Sequence, residues 1–238
     1  MADKSCKHYT RKCNHCYASS TEKKLFFCSR CKAQTYCSRE CQKADWKSHK
    51  GVCMTNDLLE SLLRAHENSP QGQRERLGLV DGLSLRELDQ RLEKWVRWHT
   101  LTLMTATVHA LRLPESLARA RAYVLYIRLE ARPQAEHNGA PAKFFRVRDA
   151  EVVSVEEGMR RPLPWPWSLL QLRQLQDEAE RSGRGGEAAA MVECPPLGVQ
   201  TVPFGSLRDL GDVVQEDWKE FLVHHVEQGR KPRMLHVH

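Results

Sequence analysis

From Ser84 onward the chain carries a helical repeat. Leu85, Leu88, Leu92, Trp95, Val96 and His99 keep the three- and four-residue spacing of one helix face. Ser84-Leu-Arg-Glu87 fits a capping box, in which each end satisfies the other's free backbone N–H. The continuation to Leu111 is apolar and threonine-rich on most faces, which predicts burial on most sides, Trp95 and Trp98 included, with Pro114 as the stop. The period then changes to two. Tyr123, Leu125, Ile127 and Leu129 alternate with Val124, Tyr126, Arg128 and Glu130, as in a strand. Residues 143–156 predict one or two more strands, after a turn at Gly139 and Pro141. Pro162, Pro164 and Pro166 predict no regular structure over 160–167. Ser168 to Gln171 reads as a second capping box, opening a helix that ends near Gly183. Residues 187–203 read as extended. A last helix is predicted from about Asp212 to Gln228, with Val214, Trp218, Phe221, Leu222 and His225 on one side. Upstream, Leu58, Leu59, Leu62 and Leu63 share one side of a short helix from Asp57 to His66. Residues 67–82, with Pro70, Gly72, Gly78 and Gly82, read as a loop. Residues 83–238 are thus predicted to form a mixed α+β domain of unassigned type.

Composition adds the setting. The 238 residues suffice for one medium domain and a small one, and 41% hydrophobic with 28% charged residues is ordinary for a soluble protein. No apolar run approaches the ~18 residues of a membrane span. The start, MADKSCKHYTRK, is polar and basic without the apolar centre of a signal peptide. This predicts a reducing intracellular compartment, nucleus or cytoplasm, where clustered cysteines read as metal ligands. The net charge of +7 is unevenly placed: residues 1–54 hold twelve Lys/Arg and four Asp/Glu, giving +8, and the rest 25 and 26, giving −1. Such an excess can be a solvated face that offsets metal-bound thiolates. It can also attract acidic partners or nucleic acid.

The chemistry lies between Cys13 and Cys53. Cys13-x2-Cys16 and Cys28-x2-Cys31 are followed by Cys37-x3-Cys41 and His49-x3-Cys53. Zinc takes four sulfur or nitrogen ligands in a tetrahedron, so eight donors in four pairs suit two closed structural sites. The x3 spacings put each late pair one helical turn apart, facing one metal. Spacing alone permits two linear sites or an interleaved arrangement. Four protein donors per ion leave no open position for catalysis. Cys6 and Cys194 stand outside the cluster and read as plain thiols. His224, His225, His236 and His238 have no evident partner and read as surface residues. No phosphate-binding or hydrolase motif occurs.

Cys37-Ser-Arg-Glu-Cys41-Gln42, then Trp46, His49 and Cys53, with Tyr36-Cys37 and Asp45-Trp46, closely resembles the MYND zinc finger. The resemblance covers residues 13–53 and includes every ligand position. It implies the interleaved arrangement, with Cys13, Cys16, Cys37 and Cys41 on one ion and Cys28, Cys31, His49 and Cys53 on the other. It also implies a small module that is unfolded without zinc. Such fingers bind short proline-rich peptides along a shallow groove; by motif position Gln42 and Trp46 border it, with Thr35 and Tyr36 beside it. Against this, Trp46 can instead pack the finger's small core, and Gln42 can be a solvated helix residue. The lysine methyltransferases that join this finger to a SET domain carry it inside the catalytic part. Here twelve residues precede Cys13 and no Asn-His-Ser-Cys-like motif is present, so the expectation is not an enzyme. The organisation expected is a basic tail (1–12), a MYND-like finger (13–53), a short helix and linker (54–82) and the α+β domain (83–238). The function expected is that of a zinc-binding adaptor for a proline-rich protein partner, in regulation of transcription. An unrecognised enzyme in the C-terminal domain, or nucleic-acid binding by the basic finger, are the alternatives. Pro195-Pro196-Leu197 and residues 162–166 resemble parts of a ligand for such a groove, although eleven prolines make chance matches common.

Overall fold

The structure, a computed structural model, describes residues 13–20, 22–32, 34–183, 185–207 and 210–230. The basic tail, Cys6, His236 and His238 lie outside them. The chain divides into two compact units between Glu75 and Arg76.

In the first unit, β1 (Phe26–Phe27) pairs antiparallel with β2 (Thr35–Tyr36). α1 (Arg39–Ala44) opens at Ser38, whose Oγ accepts the Cys41 N–H at 3.2 Å. Asp45 N–H bonds to Cys41 O, and Asp45 O accepts the His49 N–H at 2.9 Å. α2 (Trp46–Glu67) therefore follows with hardly a break. The short helix read from Asp57 is corrected here: it is the second half of a 22-residue helix. Thr55 and Asn56 look like an interruption in sequence, but Thr55 Oγ1 bonds to Gly51 O at 3.1 Å, so its polar group is satisfied inside the helix. Leu58, Leu59 and Leu62 on this half are exposed. The stretch read as a loop also contains α3 (Pro70–Arg76) and a 3₁₀ turn at Val80–Gly82. Proline at the first position of α3 sacrifices no hydrogen bond. Gly72 is required there, because a Cβ would lie 2.0 Å from His66 O.

In the second unit, α4 (Leu85–Ala110) begins with the capping box read from sequence: Ser84 Oγ accepts the Glu87 N–H at 3.1 Å and Glu87 Oε2 accepts the Ser84 N–H at 2.8 Å. Then come α5 (Arg119–Ala122), β3 (Tyr123–Ala131), α6 (Gln134–His137), β4 (Phe145–Ser154), α7 (Val155–Arg160), α8 (Trp165–Arg181), β5 (Gly186–Glu193), β6 (Gln200–Leu207) and α9 (Trp218–Gln228). The sheet order is β4-β3-β5-β6, with β3 and β5 parallel and both outer pairs antiparallel. The two-residue period decides which side chain meets which helix. Leu125, Ile127, Leu129, Ala190 and Val192 face the cluster built on Leu88, Leu92, Trp95 and Leu103 of α4 and Leu222 and Val226 of α9. Val124, Ala189 and Met191 face Trp165, Leu169 and Leu172 of α8. β5 is buried on both faces from Ala188 to Val192, which explains its unbroken apolar run. The second unit is thus the expected mixture of helix and sheet.

Several local expectations are corrected. Trp98 sits at the edge of the core, 38% exposed, with its indole N–H on Gly229 O at 3.3 Å. α8 starts inside the proline-rich stretch, at Trp165. Pro166 falls in its first turn, where a missing N–H is harmless, and Ser168 is not a cap but donates its N–H to Pro164 O. α9 starts at Trp218, six residues after Asp212. The residues before it are held by other bonds: Gln215 N–H on His109 Nδ1 at 3.3 Å and Glu216 on Arg112 at 2.6 Å. Pro195-Pro196-Leu197 is no extended segment but the turn between β5 and β6, closed by Leu197 N–H on Cys194 O at 2.9 Å. Cys194 is buried, and burial pushes its thiol up to about 12, as befits an inert thiol.

Candidate metal centres and their surface

The two Cys-x2-Cys pairs fold alike. Tyr17 N–H returns to Cys13 O and Lys32 N–H returns to Cys28 O, each at 2.9 Å. Tyr17 and Lys32, four residues after the first cysteine of each pair, both take the left-handed conformation, at φ 60° and 53°. Each turn thereby aims two sulfurs to one side. The late pairs are set by helices: Cys37 precedes the Ser38 cap and Cys41 lies in the first turn of α1, whereas His49 and Cys53 are one turn apart on α2 and fully buried. Arg30 and Asp57 form an ion pair at 2.8 Å that ties the second cysteine turn to α2.

These elements gather the donors into two sets: Cys13, Cys16, Cys37 and Cys41, and Cys28, Cys31, His49 and Cys53. Within each set all donor atoms lie within 4.8 Å of one another. A zinc tetrahedron with Zn–S of ~2.3 Å and Zn–N of ~2.0 Å has S–S edges of about 3.8 Å and S–N edges of about 3.5 Å. The edges measured are 3.5 Å for Cys16–Cys37 and Cys37–Cys41, 3.9 Å for Cys28–Cys53, and 3.5 Å for Cys31 Sγ to His49 Nε2. The residues therefore fit two structural zinc ions in the interleaved arrangement.

The electrostatics point the same way. Burial pushes the Cys13 thiol up, but the backbone N–H groups of Cys16, Cys37 and His15 outweigh it and hold the group down to about 6. Cys28 is likewise brought down to about 6, against burial, by the backbone of Cys31, the His49 ring and the backbone of Arg30. Cys37 is pushed up to about 12 by its crowding against Cys16 and Cys41, and Cys53 to about 12 by burial and Cys28. Cys13 and Cys28 thus favour the thiolate, whereas Cys37 and Cys53 keep their protons. A bound dication removes that conflict, because it stabilises every thiolate at once.

Around the second set the four expected groove residues part ways. Trp46 is 39% exposed, with its ring edge-on to His49 at 6.0 Å. Tyr36 is only 2% exposed; its ring meets His49 at 5.8 Å and its hydroxyl donates to Asp45 Oδ2 at 2.6 Å. Gln42 is half-buried and donates from Nε2 to Cys28 Sγ at 3.4 Å. Thr35 has its N–H on Asn14 Oδ1 and its C=O accepting the Asn14 N–H. Sequence reasoning missed the supporting roles of Asn14, Asp45 and the Arg30–Asp57 pair, because nothing in the ligand spacing marks them.

The sequence model described as "MYND finger" matches residues 13–53. The "SET domain-containing protein 14" of Caenorhabditis elegans is 54% identical to this chain over 60 residues, which cover 22% of this chain and 14% of that relative. The chain thus spans a small part of the relative's length. No solved structure matches significantly. No helix among the described residues is long and apolar enough to cross a membrane. Residues 13–53 are a MYND finger, a zinc-binding protein-interaction module whose two four-donor sites the fold has interleaved.

Proposed function

We propose that this finger docks short proline-rich segments of a partner protein, and that the chain works as an adaptor in regulation of transcription, which requires a nuclear location. Residues 13–53 do the docking, 54–82 connect, and 83–238 supply a separate folded unit. The observation that carries this reading is the exposure of Trp46 beside a buried zinc ligand. An extended proline segment is already ordered before it binds, and a flat, rigidly held aromatic ring suits it. Tyr36 backs His49, against which that ring stands, and Gln42 braces α1 against the second metal set. Thr35, whose N–H, C=O and hydroxyl all engage Asn14, lies beside the groove.

The test is isothermal titration of the zinc-loaded full chain with a proline-rich peptide, beside Trp46→Ala. The variant is expected to bind at least about tenfold more weakly. Unchanged binding by a variant that retains its zinc would overturn the reading.

A second reading, lysine methyl transfer, comes from the name of the Caenorhabditis elegans relative. The closed donor sets exclude catalysis at the metals themselves, and the non-enzymatic reading is favoured because the likeness to that relative extends over 60 residues, 14% of its length. Transfer of labelled methyl from S-adenosylmethionine to a lysine substrate by the purified chain would reverse that preference.

A further inference from the structure

The exposed ring of Trp46 stands among lysines. Lys43 lies in the last turn of α1, and Lys47 and Lys50 lie at the start of α2. Lys47 is next to Trp46 and Lys50 lies one turn after it on α2, and Lys43 is three residues before Trp46, across the Asp45 junction. All three lysines are exposed, and no ion pair among the described residues involves them. Of the two carboxylates close by in sequence, Asp45 accepts the Tyr36 hydroxyl, and Glu40, one turn before Lys43 on α1, feels its charge without forming an ion pair with it. The second unit is different. There Arg76, Arg97, Arg112, Arg121, Arg146 and Arg161 are each matched to a carboxylate of the same unit. Lys43, Lys47 and Lys50 therefore differ from Arg30 of the same finger, which is ion-paired with Asp57, and from these arginines. Charging both metal sets does not cancel them. Seven thiolates and two zinc ions sum to −3, against the +8 of residues 1–54, which leaves +5.

We propose that the segment docked at Trp46 is acid-flanked: aspartate or glutamate side chains next to its prolines are read by Lys43, Lys47 and Lys50. This rests on the docking role of Trp46 proposed above. Charge of this kind selects among proline-rich segments, which share one backbone shape, and speeds their encounter.

The test uses the zinc-loaded full chain and three peptides with one proline-rich core, flanked by aspartates, by serines or by lysines. The expected order is aspartate, serine, lysine. The aspartate peptide should bind about tenfold more tightly than the serine peptide at low salt, the order expected of three exposed charge contacts, and the gap should narrow at high salt. Replacing the three lysines by glutamine, K43Q/K47Q/K50Q, with zinc content verified, should bring the aspartate peptide down to the level of the serine peptide. Equal binding of those two peptides by the unaltered chain would overturn the proposal while leaving the docking of prolines intact. So would a preference that survives in the glutamine variant. Failure of all three peptides would remove the docking reading and this proposal with it. A single-stranded oligonucleotide that outcompetes the aspartate peptide would reassign the lysines to nucleic acid.

Discussion

Removing zinc should unfold the finger and spare the second unit. Among the described residues of 13–53, the one large apolar side chain that is fully buried and is not a ligand is Tyr36. Burying it contributes about 2–3 kcal/mol. Ordering a residue costs roughly 1–2 kcal/mol in backbone freedom, so that burial offsets about two residues of the finger. A structural zinc site contributes ~10–16 kcal/mol in comparable finger peptides, and two are present. The metals therefore dominate the finger's stability by several-fold. The second unit has its own core around Trp95, Leu125, Ile127 and Val192 and needs no ion for it. Hydrogen exchange on the full chain, before and after a strong chelator, tests this. The amides of Tyr17, Lys32, Cys41 and His49, bonded within the finger, should lose protection, and those of Leu125 to Ile127 and Ala190 to Val192 should keep it. A chromophoric chelator should count two zinc ions released per chain. Protection in 13–53 that survives complete metal removal would refute the reasoning, and so would release of a single ion.

Three smaller outcomes follow from the second unit. His99 is buried and donates from Nε2 to Ala142 O at 2.9 Å; burial brings it down to about 4 from 6.5. Between those values the unfolded chain takes up a proton that the folded chain refuses, so this contribution is intact above pH 6.5 and lost as pH falls toward 4, by about 3 kcal/mol in all. Burial pushes His137 and His109 the same way, and urea titrations from pH 7 to 4 should be visibly flatter for His99→Asn. Ser84→Ala removes the acceptor for the Glu87 N–H and should cost about 1 kcal/mol in urea denaturation of the second unit. Gly158→Ala should destabilise by about 1–3 kcal/mol despite alanine's better helix propensity. Its Cβ would lie 2.6 Å from Leu169 Cδ1 and 3.2 Å from Trp165 Cε3, and a stabilised variant would show that α7 and α8 yield freely.

The ligands were legible because metal coordination constrains spacing directly: four pairs at fixed separations leave few other uses for seven cysteines. α4 was legible for a similar reason, since its cap and apolar face are both written in local sequence. What stayed hidden depends on distant partners. The start of α9 is delayed because His109 and Arg112, a hundred residues earlier, hold Gln215 and Glu216. The opposite fates of Tyr36 and Trp46 follow from which ring Asp45 and His49 trap inside, which the motif does not distinguish. The left-handed residues Tyr17 and Lys32 carry no glycine or asparagine signal. Their conformation comes with the turn that aims two sulfurs at one metal.

The interleaving has a consequence for how the finger comes to life. The segment from Cys16 to Cys37 contains Cys28 and Cys31, and the segment from Cys31 to His49 contains Cys37 and Cys41. Whichever ion arrives first pulls the donors of the other into a shorter stretch of chain, and whichever leaves first hands its partner a longer, looser loop to hold. Half-loaded molecules should therefore be rarer than two independent sites would give, by the factor of a few that loops of this length allow. When zinc runs short, the population should lean toward complete fingers and empty ones, so that native mass spectrometry of the half-titrated chain should count more of both than two independent sites would leave.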